Sequence, residues 1–278
     1  MRYGIEVVTL GELSHPSAVM RLAQAAEAAG WDGLFVWDHL AFTWGVPSGD
    51  PWVILSAVAA CTSRLELGTS VAALPRYRPQ VLAQMLVSLD ELSAGRVIFG
   101  AGLGGVPEEF SAFGETGDAK VRAAKLEESL EIINRLWSGE AVTYQGLHYQ
   151  IDGVSLGHGP VRQPRIPIWI GGDSRPALRR AARWDGWVIG GIDETGKVVR
   201  TPEQMKESID LIRQHRSGYG IQDQPFDVAI TGITTSPEEN ELPRAYESVG
   251  VTWWLESVYG LRGSLEDNLA RIEQGPPR

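Results

Sequence analysis

Short apolar runs alternate with longer amphipathic ones along the chain, and the alternation repeats about eight times. The short runs are strand-length: residues 3–9, 33–37, 65–71, 96–102, 166–170, 186–190, 226–231 and 251–255. Val97-Ile98-Phe99, Ile168-Trp169-Ile170 and Trp187-Val188-Ile189 are unbroken apolar stretches, as a parallel sheet covered on both faces requires. Between the runs lie helical patterns. Residues 17–29 are rich in Ala and end at Gly30, where a helix C-terminus favours glycine. Asp50 stands as an N-cap with Pro51 at the first helical position. Residues 79–92 place Val81, Leu82, Met85, Leu89 and Leu92 on one stripe. Residues 119–137 gather Leu126, Leu130, Ile133 and Trp137 on one face, with Glu131 and Arg135 spaced to pair. A further helix is predicted over 176–183. Thr201-x-x-Gln204, Ser236-Pro237-Glu238-Glu239 and Ser264-x-x-Asp267 each read as a capping box opening another.

Roughly eight strand–helix units in 278 residues predict an α/β chain folded as one (β/α)8 TIM barrel domain over residues 1–278. A doubly wound open sheet shares the alternation but usually has fewer units. Two segments break the rhythm. Residues 138–165 alternate in character and read as a small hairpin and loop inserted before the fifth strand. Residues 191–201 form a loop of glycines and charges, a candidate lid.

Charge and composition narrow the function. A formal charge of −10 and a pI near 5.1 argue against a nucleic-acid or anionic-membrane surface. The single cysteine, Cys61, allows no internal disulfide and fits a reducing compartment. The first residues carry a charge and are too short for a signal-peptide core. The longest apolar stretch, 53–61, is about half a membrane span. The expectation is a soluble, cytoplasmic protein acting on a small molecule.

In a barrel, chemistry collects where strands end and βα loops begin. Asp38 and His39 follow the second strand, and Thr69-Ser70 closes the third. Gly102-Leu103-Gly104-Gly105, Gly171-Gly172-Asp173-Ser174 and Gly190-Gly191-Ile192-Asp193 follow the fourth, fifth and sixth. Thr231 and Thr234 belong to the seventh and Glu256 to the eighth. A charged pair closing an apolar strand suits acid/base work better than core packing, although a satisfied structural histidine is the alternative for His39. Lys120, Lys125, Lys197 and Lys206 lie on helices or in a loop, so no Schiff-base lysine ends a strand. The five histidines are scattered, so no zinc site is expected. Only Asp38 and Glu256 fit a magnesium site, and loosely. A glycosidase acid pair among Glu6, Asp38 and Glu256 stays open. Gly171-Gly172-Asp173-Ser174 is either a phosphate cradle at a helix start or a tight turn with Asp173 or Ser174 as N-cap. Gly102 and Gly104 would let backbone approach a flat ligand.

Taken in order, several motifs resemble the luciferase-like monooxygenase family: Asp38-His39, Asp50-Pro51-Trp52-Val53, Thr62-Ser63-Arg64-Leu65-Glu66-Leu67-Gly68-Thr69, Arg78-Pro79 and Leu89-Asp90-Glu91-Leu92-Ser93-Ala94-Gly95-Arg96. Gly100-Ala101-Gly102-Leu103-Gly104, Glu109-Phe110, Leu136-Trp137-Ser138-Gly139, Pro167-Ile168-Trp169-Ile170-Gly171-Gly172 and Arg180-Ala181-Ala182-Arg183-Trp184-Asp185-Gly186 continue the series. The match covers about two-thirds of the chain, and the last third carries no family motif.

The resemblance implies a barrel that binds FMN or the deazaflavin F420 at its C-terminal mouth, and a homodimer. It places the proton shuttle of F420-dependent members at His39, with Asp38 beside it. A non-prolyl cis peptide behind the cofactor ring falls near Ser70-Val71, and the phosphate loop on Gly171, Gly172 and Ser174. The expected cofactor contacts are therefore Asp38, Ser70, Val71, Gly102, Gly104, Gly171, Gly172, Ser174, Gly190 and Gly191, and the catalytic pair is His39 and Asp38. Trp37, Trp44 and Trp52 are candidates for an aromatic wall, with core packing the alternative for Trp37 and Trp52. The glutamate that sugar-phosphate dehydrogenases carry after the fourth strand falls here on Gly105, so that activity is not transferred; Glu109, nearby, is expected to be structural. F420 is preferred to FMN on Asp38-His39 and Thr62-Ser63-Arg64. The alternatives are an FMN-dependent monooxygenase fed by a partner reductase, and a flavin-binding barrel without turnover.

Overall fold

Eight parallel strands close into a barrel in the computed structural model, which describes residues 1–40, 42–190, 192–193 and 197–278. Around the barrel run β1 (Arg2–Val7), β2 (Gly33–Val36), β3 (Glu66–Thr69), β5 (Val97–Gly102), β8 (Ile168–Gly171), β9 (Gly186–Ile189), β10 (Asp227–Gly232) and β11 (Trp253–Val258). β11 pairs back onto β1, so Gly4 faces Leu255 and Glu6 faces Ser257. A two-residue strand, β4 (Ala72–Ala73), continues β3 after a cis peptide between Ser70 and Val71 and pairs with β5. The helices are α1 (Pro16–Ala28), α2 (Pro51–Cys61), α3 (Pro79–Leu92), α4 (Glu108–Ser111), α5 (Ala119–Leu136), α6 (Arg175–Ala181), α7 (Pro202–Gly218), α8 (Glu241–Ser248) and α9 (Leu265–Glu273). The expected insertion is an antiparallel hairpin, β6 (Val142–Gln145) with β7 (Gln150–Val154). Its turn is gathered by the Glu128 carboxylate, which accepts from the amides of Leu147, His148 and Tyr149.

Side chains alternate in and out along each strand, and two separate cores result. Outward residues such as Ile5, Leu34, Leu67, Phe99 and Ile170 pack under the helices. Inward residues Phe35, Ile98, Trp169, Val188, Ala229, Trp253 and Leu255 fill the barrel. Three of these form an aromatic cluster: Phe35 stacks on Trp169 at 5.2 Å and meets Trp253 edge-on at 5.6 Å. Such bulk fits only because glycines occupy neighbouring inward positions. A Cβ on Gly186 would lie 2.3 Å from Trp169 Cδ1, and one on Gly33 would lie 3.1 Å from Trp253 Cζ3.

The helix starts bear out most of the capping motifs. Asp50 accepts from the amides of Trp52 and Val53, and Thr201 and Ser264 open complete capping boxes. The helix expected at 176–183 runs from Arg175 to Ala181. Ser236-Pro237-Glu238-Glu239 does not open a helix. Glu239 turns back to the amide and hydroxyl of Thr235, and α8 begins at Glu241, where Pro243 loses no intrahelical hydrogen bond.

Thr62-Ser63-Arg64 lies between α2 and β3, at the N-terminal end of the barrel and opposite the mouth. Its amides are taken up locally: Glu27 accepts from Ser63, Arg64 and Leu65. Arg96 ties the same corner by donating to the carbonyls of Ala59, Thr62 and Leu65. The stretch therefore closes the base of the barrel and carries no information about the cofactor.

The inward glycine rows predict a contrast. Gly186→Ala should lower stability by about 1–3 kcal/mol through overpacking against Trp169. Gly190→Ala, where an added Cβ meets nothing within 4 Å, should leave it unchanged or slightly raised. Urea unfolding of both variants checks this.

Candidate functional site at the barrel mouth

One inward step above the aromatic cluster, β-strand alternation brings Glu6, Trp37, Ser70, Gly102, Gly171, Gly190, Thr231 and Ser257 to the C-terminal end. A cavity of about 650 Å3 opens there, lined by Glu6, Trp37, Gly190 and Thr231 and walled by Val8, Leu10, Val46 and Leu261. The cis peptide turns Val71 toward the barrel. A Cβ on Gly102 or Gly171 would lie 2.5 or 2.9 Å from Val71 Cγ2, so these glycines make room for the bulge.

Glu6 is almost fully buried at the floor of this cavity, 1% exposed. Ser70 donates its hydroxyl to the carboxylate at 2.6 Å, and Thr231 lies toward it without completing a hydrogen bond. Burial pushes the carboxyl pKa above its ordinary value, against opposing contacts from Ser70, Trp37 and Thr231. Among the described residues no lysine, arginine or histidine forms an ion pair with it. Ser257 Oγ, buried on the neighbouring strand, has no hydrogen-bond partner among the described residues.

Asp38 and His39 belong to a second cavity beside the first, about 490 Å3, lined also by Arg76, Glu109 and Phe113. Asp38 Oδ2 accepts from the Ala73 amide at 2.8 Å. Arg76 donates to Asp38 Oδ1, to the Asp38 carbonyl at 2.9 Å and to Glu109 Oε2 at 2.5 Å. Glu109 Oε1 accepts from the Leu40 amide at 3.0 Å and lies 2.9 Å from His39 Nδ1. Because a carboxylate can only accept, Nδ1 carries the proton and Nε2 of neutral His39 is the acceptor. The ring sits between two indoles, 5.3 Å from Trp37 and 5.1 Å from Trp44. Trp52 instead packs on Tyr77 and Phe99, in the core.

Arg76 and Glu109 are the residues that sequence reasoning missed. Glu109 does sit structurally on a short helix, but its carboxylate holds the histidine. Burial works against the Arg76 charge, and Asp38, Tyr77 and Glu109 more than restore it. In the sequence each is one of several charges in its βα loop, Arg76 beside Arg78 and Glu109 beside Glu108, and nothing local distinguishes it.

The other expected contacts are built as follows. Gly104 takes φ +81° and packs on the Phe110 ring, while Arg122 donates to the carbonyls of Leu103 and Gly104. Gly172 takes φ +108°, and its carbonyl accepts from Trp187 Nε1 at 2.7 Å. Ser174 is the N-cap of α6, accepting from the Ala177 amide. Asp173 pairs with Arg200 at 2.6 Å. Gly190 lines the axial cavity; Gly191 lies outside the described residues. Glu256, a candidate from the sequence, points outward. It is held by Arg262, Thr234 and Trp254 and does not face the mouth.

Comparison with known proteins bears on the family and the fold. The sequence profile described as luciferase-like monooxygenase matches residues 4–258. An F420-dependent glucose-6-phosphate dehydrogenase of Nakamurella multipartita is 38% identical over 180 residues, 62% of this chain and 52% of the relative. The chain thus spans about half the length of that relative. A monooxygenase from Streptomyces bottropensis superposes with a TM-score of 0.81 at 21% identity, covering 99% of this chain and 97% of the other. An F420-dependent secondary alcohol dehydrogenase in complex with an F420–acetone adduct gives 0.81 at 16% identity, covering 99% and 98%.

Two outcomes follow from the charges. Arg76→Ala strands two buried carboxylates and should cost about 3–5 kcal/mol in chemical denaturation. Glu6, with its folded pKa raised, contributes stability that is full below the ordinary carboxylate pKa and is lost as pH rises through the folded value. Glu6→Gln should therefore gain stability relative to wild type as pH increases from about 4 to 8, as urea midpoints across that range would register.

Proposed function

The chain belongs to the luciferase-like monooxygenase family, and we propose that it is an F420-dependent oxidoreductase acting on a small organic molecule. The observation carrying this reading is His39, fixed through Nδ1 on Glu109 with Nε2 left as a proton acceptor beside the mouth. F420 is favoured over FMN by Asp38-His39 and by the cofactor named for the Nakamurella relative.

The residues present fit a flavin-type ring. The Ser70–Val71 bulge, with Val71 set against Gly102 and Gly171, would back such a ring beside the axial cavity, whose floor residue Glu6 it touches through Ser70. In this reading Asp38, Ser70, Val71, Gly102, Gly104, Gly171, Gly172, Ser174 and Gly190 hold the cofactor. When bound, it would supply the hydride acceptor or donor. His39 accepts or returns the substrate proton, Asp38 and Glu109 fix its orientation, and Trp37 and Trp44 confine it. No acid stands at Gly105, so the reaction of the sugar-phosphate relative is not carried over.

Titrating cofactor-free protein with F420 and with FMN tests the choice. F420 should bind more tightly, and tight binding of FMN alone would sink it. Oxygen uptake with reduced FMN would point instead to a monooxygenase supplied by a partner reductase. His39→Ala should lower turnover by about 10²–10⁴-fold with cofactor affinity retained. Absence of any substrate-dependent redox signal in wild type would leave a binding protein without turnover.

A homodimer is proposed on the same footing, with Val53 on α2 and Val81 and Leu92 on α3 as exposed apolar contacts. Sedimentation should show a dimer that Val53→Glu/Val81→Glu converts to monomer; a monomeric wild type would refute it.

A further inference from the structure

We propose that the axial cavity selects an uncharged, mainly apolar molecule carrying a hydrogen-bonding oxygen, and that Glu6 is the group that meets that oxygen. This rests on the oxidoreductase reading only in taking the bound molecule to be the substrate.

The argument begins with the lining. Val8, Leu10, Trp37, Val46 and Leu261 supply apolar wall, and the ionisable side chains are Glu6, Asp193 and Tyr259. No lysine, arginine or histidine appears among the described lining residues. A phosphate or carboxylate entering here would lose its hydration and meet Glu6, with no lysine, arginine or histidine among the described lining residues to offset that loss. A neutral ligand meets no such penalty, and its apolar part gains from leaving water. The volume, about 650 Å3, falls within the range common for small-molecule sites, about 300–1,000 Å3.

Glu6 supplies the polar contact. It projects inward from β1 at the floor, where Ser70 after β3, Trp37 after β2 and Thr231 on β10 face it. Asp193 and Tyr259 face the same space from the loops after β9 and β11, and Asp193 is engaged by the Lys197 amide. Desolvation without a cationic partner favours the protonated carboxyl. In that form Glu6 can donate to a ketone oxygen or accept from a hydroxyl. It thus suits either side of an alcohol–ketone pair, and an ionised carboxylate would suit only the alcohol.

Ligand-detected NMR on the cofactor-free protein tests this with cyclohexanone, cyclohexanol and glucose 6-phosphate as probes. The ketone and alcohol should bind, and the sugar phosphate at least ~10-fold more weakly. Glu6→Gln, whose amide still donates, should hold ketone affinity within about threefold, whereas Glu6→Leu should lose about tenfold. Near-UV circular dichroism confirms that both variants are folded. Ketone affinity in wild type should fall as pH rises, a trend that Glu6→Gln abolishes. Sugar phosphate binding as tightly as the ketone, or Glu6→Leu binding it unchanged, overturns the inference. So does a pH trend that survives in Glu6→Gln. Failure of F420 to bind would overturn the proposed function and leave these binding results standing.

Discussion

The packing of Phe35, Trp169 and Trp253 inside the barrel is the constraint on which the rest depends. Three large rings within 5.2–5.6 Å of one another occupy the interior so fully that Gly33 and Gly186, inward beside them, have little room for a Cβ. Because the rings come from β2, β8 and β11, they fix the relative heights of strands far apart in sequence. They also set the depth of the mouth. Apart from Trp37, the next inward residues are small or polar, and the space above the rings is not filled by side chains. A cavity at this level results from filling the level below.

Two charge environments follow from where the carboxylates sit relative to Arg76. Asp38 and Glu109 flank its guanidinium and also accept from the amides of Ala73 and Leu40, Glu109 from His39 as well. That network is worth little as net stability, because desolvating three charges offsets much of their attraction. What it gives is geometry: one His39 nitrogen is committed and the other left open. Glu6, at the floor of the neighbouring axial cavity, faces hydroxyls and an indole. The same chemical class is thus paired with a guanidinium in one cavity and, in the other, buried where desolvation raises its pKa.

Much of the architecture was legible in the sequence because period and caps are local. Asp50, Thr201 and Ser264 announce their helices through bonds spanning two or three residues, and the alternation in 138–165 announces the hairpin. The misreadings arise where a motif residue is taken by a competing partner, near or far in sequence. Ser236-Pro237-Glu238-Glu239 has the spacing of a capping box, but Glu239 reaches Thr235 first. Thr62-Ser63-Arg64 sits in a family motif, yet its partners Glu27 and Arg96 lie at the base of the barrel. Asp38 and His39 were readable as a pair at a strand end. Their dependence on Arg76 and Glu109, 38 and 70 residues away, was not. Glu6 was noted only as one acid among three, because its surroundings come from Trp37, Ser70 and Thr231, which the sequence places far from it.

The same separation of scales bears on specificity. Residues matched by the family profile end at 258, yet Tyr259, Gly260 and Leu261 line the axial cavity. The wall facing them comes from Val8 and Leu10, at the other end of the chain. The elements carrying the histidine network, β2 and β4 with α4, lie within the matched range and are shared with proteins of different chemistry. A ligand in the axial cavity would therefore meet residues of the matched range on one side and Tyr259, Gly260 and Leu261, beyond it, on the other. Tyr259, Gly260 and Leu261 can vary without removing any residue of the cluster that holds His39, because Asp38, Arg76 and Glu109 come from other segments.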